Sequence, residues 1–381
     1  MPAFRIQEES FSAELDPRGA GKIAIRAVPR SYEVEIRHSV DPGRTIEELV
    51  AASQQPLLLV DRAVWARWLA PLPGLARIPR FELEAIEDNK SIATVLKVVG
   101  FLLEQSATKQ TTLLVVGGGI VQDVAAFACA MYKRGLPWIF VPTTLLAQGD
   151  SGIGAKASLN HGSTKNLLAL FSAPRRVVID AGFLSSLNYR DLMSGMGEIF
   201  RLHLTGGPEF LGAFGKYFPG KSKAGPDYEA LLAGALSVKR AVIERDEFEL
   251  DLRRALNYGH SLGHAFEALA EYRIPHGTAV ALGMLVENEI AHRRDVLPGA
   301  DRDVILDAAR PIVSKAMVDE LRRLRGDRLL ALLQHDKKTV GSTLKLAAPC
   351  KIGHIRFIDV TLDQKASGAI WDCVSAVAQS L

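Results

Sequence analysis

Cysteine is scarce in this chain. Cys129, Cys350 and Cys373 are the three in 381 residues, with no CxxC spacing. That excludes a disulfide scaffold and a cysteine-built zinc module, and reads as inert thiols in a reducing compartment. No apolar run reaches 18 residues, and the most apolar stretch, Thr111 to Tyr132, is broken by three glycines and Asp123, so no membrane span is expected. The opening MPAFRIQEESFSAELD has neither the basic segment nor the apolar core of a secretory signal, and a cytoplasmic protein is the expectation. A charge excess of one sign is also missing: 46 Lys plus Arg face 43 Asp plus Glu, a net charge of +3. Such a balance argues against a nucleic-acid or membrane-surface binder, while leaving room for a local basic pocket around a small anion.

What is present alternates between two periodicities. SYEVEIRHSV, PLLLVD, TTLLVVGGG, PWIFVPTT and RRVVID read as strands, with RTIEELVAAS, NKSIATVLKVVGFLLEQ and IVQDVAAFACAMYKRG as helices among them. This predicts an α/β domain with a parallel sheet over residues 1–184, of which 1–30 read as a possible extension. Beyond Leu184 apolar residues recur at helical spacing, and strand-like runs return only at KLAAPCKIGHIRFIDV. Residues 185–381 are therefore expected to form a mainly α-helical second domain, and glycine-rich GPEFLGAFGKYFPGKSKAGPDYE reads as a mobile connection within it.

Three stretches carry chemistry. In LLVVGGGIVQD, residues 113–123, a strand enters a glycine turn and opens a helix, which suits close backbone approach to a phosphate. It is not GxGxxG, and a plain tight turn remains the alternative. The segment VPTTLLAQGDSGIGAKASLNHGSTKN, residues 141–166, reads as a long loop holding Thr143, Thr144, Asp150, Lys156, Lys165 and Asn166. Its lysines and short polar groups suit a phosphorylated polyol, or simply a solvated loop. Arg134 just before it could contact a phosphate or cap its own helix.

The third stretch, LRRALNYGHSLGHAFEALAEYRIPHG, sets His260 and His264 four apart and His276 twelve further on, three of the nine histidines in the chain. Positions i and i+4 share a helix face, and catalytic zinc sites use three protein ligands with one position open. Glu198, in SGMGEIFR, sits among small residues at what reads as an apolar helix start and is the candidate oxygen ligand. Spacing does not say which histidines are ligands and which move protons. Lys239, Arg253 and Asn257 flank the cluster, and Asp336-Lys337-Lys338 joins them as a basic and polar set; Lys239 and Arg253 suit an anionic substrate, or helix-surface pairs with Glu244, Asp246 or Glu247. His38, His161, His203, His292, His335 and His354 lack such company and read as structural.

Together GGGIVQDV, YKRG-x5-FVPTTLLAQ, DSGIGAK, KN, GEIFR, NYGHSLGHAFE and HGTAVALGM, in that order from about Asp61 to Val360, resemble the 3-dehydroquinate synthase family of sugar phosphate cyclases. Iron-dependent alcohol dehydrogenases share the plan but lack the PTTLLAQ-D-x5-K segment. The resemblance implies a dehydroquinate synthase-like fold, with a Rossmann-like N-terminal domain and a helical C-terminal one. It implies NAD between the two domains, on Asp61, Glu87, Lys90, Gly118, Gly119, Ile120, Asp123, Thr143, Thr144 and Lys165. It implies zinc or cobalt on Glu198, His260 and His276, with His264 as acid–base residue. Asp150, Lys156, Asn166, Lys239, Arg253 and Asn257 fall on substrate positions, and Arg134 would reach the phosphate from the neighbouring subunit of a homodimer. Arg201 stands where the family usually has Lys, and Ala63, Gln122 and Ala169 also depart from the pattern, which suggests a secondary-metabolism relative rather than a housekeeping one. The expected reaction is conversion of a heptulose 7-phosphate to a carbocycle with loss of phosphate, with 3-deoxy-arabino-heptulosonate 7-phosphate as the first substrate. The alternatives are a 2-epi-5-epi-valiolone-type cyclase acting on sedoheptulose 7-phosphate, a metal-dependent NAD alcohol dehydrogenase, and an impaired binding subunit, the last motivated by Arg201.

Overall fold

The computed structural model describes residues 2–16, 22–26, 31–162, 164–219, 225–336 and 338–381. The chain divides into two units: residues 17–188, and residues 1–16 with 189–381.

The first unit is built on a seven-stranded sheet in the order Lys22–Ile25, Tyr32–Arg37, Arg176–Asp180, Trp138–Pro142, Thr112–Gly117, Pro56–Asp61, Arg80–Leu83. All neighbours are parallel except Lys22–Ile25, which runs antiparallel to Tyr32–Arg37. Leu57 to Val60 and Leu113 to Val116 are buried without alternation, as expected of parallel strands covered on both faces. The sheet brings the carboxyl ends of four adjacent strands to one edge, ending at Asp61, Leu83, Gly117 and Pro142. This is where open α/β sheets bind ligands.

The segment 141–166 is not the long loop expected. After Pro142 the chain makes a helical turn at Ala147–Ser151, and Lys156–His161 then pairs antiparallel with Thr164–Phe171. Thr164–Phe171 is exposed along most of its length and carries no buried alternation to mark it as a strand.

The second unit combines helices Tyr189–Gly206, Pro208–Tyr217, Tyr228–Ile243, His260–Leu269 and His276–Arg293 with further short helices and Gln364–Ser380. It also holds a five-stranded sheet ordered Thr339–Val340, Thr343–Lys351, His354–Thr361, Ala3–Ile6, Glu9–Ser12. The start of the chain is thus no extension of the first domain. Phe4, Ile6 and Phe11 are buried, and Ala3–Ile6 runs parallel to His354–Thr361. Part of the expected mobile connection is helix Pro208–Tyr217, opened by proline at its first turn; residues 220–224 of that stretch lie outside the described residues, as does Lys337. Among the described residues no helix is long and apolar enough to cross a membrane.

Helices Tyr189–Gly206 and His276–Arg293 meet at glycines. A Cβ on Gly197 would collide with the Gly277 carbonyl, and one on Gly277 with the Ser194 carbonyl. Only hydrogen in place of a side chain permits that approach, and the Gly277 amide uses it to reach Ser194 Oγ at 3.1 Å. The contact matters because Glu198 directly follows Gly197 and His276 directly precedes Gly277. His203, deep in the same layer, is held neutral: burial lowers its imidazole to about 4, although a hydrogen bond to the Ile199 carbonyl pulls the other way.

Candidate active site

Three donor atoms converge in the helical unit. Glu198 lies well inside helix Tyr189–Gly206, not at its start, and is buried. Its Oε1 is 3.3 Å from His260 Nε2 and 3.1 Å from His276 Nε2. His260 and His276 are the first residues of their helices, so two helix entrances point at one carboxylate. The far side of each group is occupied. His260 Nδ1 faces the Tyr258 carbonyl at 3.3 Å, His276 Nδ1 meets Glu267 Oε2 at 3.0 Å, and Glu198 Oε2 accepts from Arg201 Nε at 2.7 Å. Partners on Nδ1 fix the tautomer that leaves Nε2 free to ligate, the arrangement that surrounds protein-bound metals. The donor set therefore fits a first-row cation: two imidazoles and one carboxylate oxygen.

His264 stands beside this trio. Its ring lies 5.4 Å from that of His260 and 5.6 Å from that of His276. His264, Glu267 and His276 form a second set of donors close enough for a cation. Glu267, however, is engaged with His276 Nδ1, so that set would place the ion on the wrong side of the ring. The geometry favours Glu198, His260 and His276 as the ligands and leaves His264 at the rim.

The electrostatics of the site follow from these contacts. Burial acts to raise Glu198, but Arg201 and His260 outweigh it and hold the carboxyl well below its usual range. Burial would lower His276, yet its bonds to Glu198 and Glu267 raise it to about 10. His264 is solvent-accessible on one edge; desolvation by its crowded surroundings, with His260 and His276 adjacent, lowers it well below 6.5.

Around the trio, helix Tyr228–Ile243 carries buried Lys239, and the turn Leu252–Asn257 carries buried Arg253. Both elements pack against helix Tyr189–Gly206. Asp246 braces the preceding loop by accepting from the amides of Leu250, Asp251 and Arg253 at 2.8, 2.9 and 2.9 Å. The Arg253 guanidinium donates to the Glu247 carbonyl, and Asn257 Nδ2 to Glu249 Oε1 at 2.7 Å. Lys338 pairs with Asp336 at 2.9 Å. Glu249 and Glu267 were missed from sequence. Glu267 could have been found, being three residues after His264 on the same face; Glu249 owes its position to a loop with no local signature.

The residues assigned to the dinucleotide gather in the sheet unit. Lys90 Nζ bridges Asp123 Oδ2 and Asn166 Oδ1, both at 2.7 Å. Ser158 donates to both of those residues, at 3.2 and 2.7 Å. Burial raises the Asp123 carboxyl against the pull of Lys90. Glu87 accepts from Asn160 at 2.8 Å and lies 3.7 Å from Lys165. Asp61 accepts the Ala63 amide at 2.8 Å. Helix Gly119–Met131 starts at the glycine turn with no side-chain cap, and a Cβ on Gly118 would press on Thr144 at 3.0 Å. An uncapped helix start reached past bare glycine backbone fits a pyrophosphate. Ile120 lies in that first turn, and Thr143 donates its amide to Gly117 at 3.0 Å. Asp150 sits in the helical turn Ala147–Ser151, and Lys156 opens the hairpin. Arg134 is exposed in the turn after the helix, with φ +62°, and joins none of these contacts among the described residues.

Comparison with solved structures places the architecture. A 2-deoxy-scyllo-inosose synthase complexed with carbaglucose-6-phosphate, NAD+ and Co2+ superposes with a TM-score of 0.77 at 22% identity, over 92% of this chain and 99% of that one. A 2-epi-5-epi-valiolone synthase from Streptomyces hygroscopicus subsp. jinggangensis 5008, with NAD+ and Zn2+ bound, gives 0.76 at 24% identity over 93% and 99%. These share the fold. The family profile 3-dehydroquinate synthase N-terminal matches residues 80–194, and 3-dehydroquinate synthase C-terminal matches 195–339. A 3-dehydroquinate synthase of Streptococcus pneumoniae (strain JJA) is 34% identical over 279 residues, 73% of this chain and 78% of the relative. The chain belongs to the 3-dehydroquinate synthase family and is a lyase-type cyclase.

Proposed function

We propose that this cyclase uses NAD and a zinc or cobalt ion to convert 3-deoxy-arabino-heptulosonate 7-phosphate into a carbocycle with loss of phosphate. The observation that carries this reading is the convergence of Glu198, His260 and His276 on one point, their far sides fixed, beside an accessible His264. When bound, NAD supplies reversible hydride transfer and the metal acidifies the hydroxyls it holds.

The chain's own residues do the rest. Glu198, His260 and His276 would hold the metal. Gly118, Gly119, Ile120, Asp123, Thr143 and Thr144, with Asp61, Glu87, Lys90 and Lys165, would hold the dinucleotide. His264 is neutral near pH 7, so it can take a proton from the substrate and return it. Lys239 and Arg253 are buried cations on elements packed around Glu198, suited to a substrate carboxylate. Asn257, held by Glu249, presents an amide for a hydroxyl. Asp150, Lys156 and Asn166 are assigned to substrate on the family pattern alone.

The test is phosphate release with NAD and zinc or cobalt, run on the carboxylated heptulose phosphate and on sedoheptulose 7-phosphate. Release from the first, without accumulating NADH, is expected. Release from the second alone would replace the substrate and turn Lys239 and Arg253 to hydroxyl contacts. Stoichiometric NADH would mark a dehydrogenase; binding of both ligands without release would mark an impaired subunit.

Arg134, exposed and apart, is proposed to meet the phosphate from a neighbouring copy in a homodimer. Arg134→Ala is then expected to raise KM roughly ten- to hundredfold with kcat little changed, since one charge-assisted contact is worth about 1.5–3 kcal/mol. An unchanged KM would leave Arg134 with a purely local role.

A further inference from the structure

One buried acid of the helical unit has no part in the chemistry above. Glu287, on helix His276–Arg293, is fully buried. Its Oε2 accepts the Gly259 amide at 2.7 Å. That amide belongs to the cap position of helix His260–Leu269. A helix cannot satisfy its own first amides, and here the capping residue is Gly259, which has no side chain to do it. The acceptor comes instead from another helix.

The neighbouring residue extends the brace. Asn288 is buried and its Oδ1 accepts the Tyr258 hydroxyl at 2.5 Å. Tyr258 in turn offers its carbonyl to His260 Nδ1. Between them Gly259 has φ +81° and is pressed against the Val280 carbonyl and Met284, so no side chain fits. Consecutive residues of one helix thus grip consecutive residues of the turn that delivers His260. Glu287 Oε1 and Asn288 Nδ2 are buried without a hydrogen-bond partner among the described residues. Leaving polar atoms so is costly. Apolar side chains at these positions would in turn strand the Gly259 amide and the Tyr258 hydroxyl.

We propose that Glu287 and Asn288 are positioning residues for His260: by holding Tyr258 and Gly259 they aim its Nε2 at the point shared with Glu198 and His276. The proposal rests on the metal reading of that trio.

The experiment is cobalt titration of the metal-stripped full-length protein. Kd is measured by chelator competition, the visible absorption of the bound ion is recorded, and folding is followed by circular dichroism. Glu287→Gln keeps an acceptor for Gly259 and is expected to hold Kd within about threefold. Glu287→Leu is expected to raise Kd by about tenfold or more and to alter the cobalt spectrum, as loss of an outer partner of a ligand does. Tyr258→Phe removes only the hydroxyl that Asn288 holds; it is expected to shift the spectrum and weaken cobalt binding a few-fold, and it keeps the idea testable if the leucine variant does not fold. A folded Glu287→Leu, or a Tyr258→Phe, with the parent's Kd and spectrum would overturn the proposal. A parent protein that binds no cobalt, or a His276→Ala variant that binds it as the parent does, would remove the metal reading itself and this inference with it.

Discussion

His276→Ala should lose metal and turnover together, whereas His264→Ala should lose turnover and keep its metal. The two rings are 5.6 Å apart and stack at 26°, so distance from the trio does not separate their roles. What separates them is the back of each ring. His276 Nδ1 is tied to Glu267 and its Nε2 faces Glu198; His264 has no comparable approach to Glu198 and keeps an open edge. Removing one of three ligands from a site with one position left for substrate leaves too few donors to hold the ion. The loss of several kcal/mol of charge stabilisation then lowers phosphate release by about 10³-fold or more. Removing His264 instead forfeits acid–base assistance, about 10²–10⁴-fold, with metal content unchanged. Metal per chain after desalting, beside the rate of phosphate release, checks both variants. Equal metal loss in the two would reassign His264 as a ligand, and full occupancy in His276→Ala would end that residue's claim.

The parts of this protein that read clearly from sequence are those whose cause is local. Leu57–Val60 and Leu113–Val116 are covered on both faces, so each announces itself as an uninterrupted apolar run. Ala3–Ile6 does not, because its reason for being a strand is His354–Thr361, some 350 positions away. Lys156–His161 and Thr164–Phe171 were hidden by their exposed faces, and Arg80–Leu83 by its edge position and short length. The site divides the same way. Helical spacing brought His260 and His264 to notice, and the rarity of histidine added His276. The role of each is written in partners that no spacing encodes: the Tyr258 carbonyl, Glu267, and the close crossing at Gly197 and Gly277 that carries Glu198 to His276. Glu287 was invisible for a related reason, as one of two acids at the polar end of HGTAVALGMLVENEI.

Arg201→Met should destabilise the metal-free protein far more than the metal-loaded one. Arg201 and Glu198 are each about 2% exposed and are joined at 2.7 Å, one helical turn apart. Breaking a buried pair from one side strands the other charge, which costs about 3–5 kcal/mol. Without metal, Glu198 would lose the cation that most strongly opposes its burial, and His260 and His276 would be left to balance it. With metal bound, the ion takes over that role and most of the loss should disappear. Urea unfolding of parent and variant, in chelator and in excess zinc, reads the difference directly. Equal stability of the two proteins in chelator would show that Arg201 is not what compensates Glu198. Arg201→Lys is the complementary case. An ammonium can still pair with Oε2, though without the planar guanidinium fork, so turnover on a heptulose phosphate should be kept or raised. If lysine keeps the metal but abolishes turnover, the planar guanidinium is matched to a particular substrate.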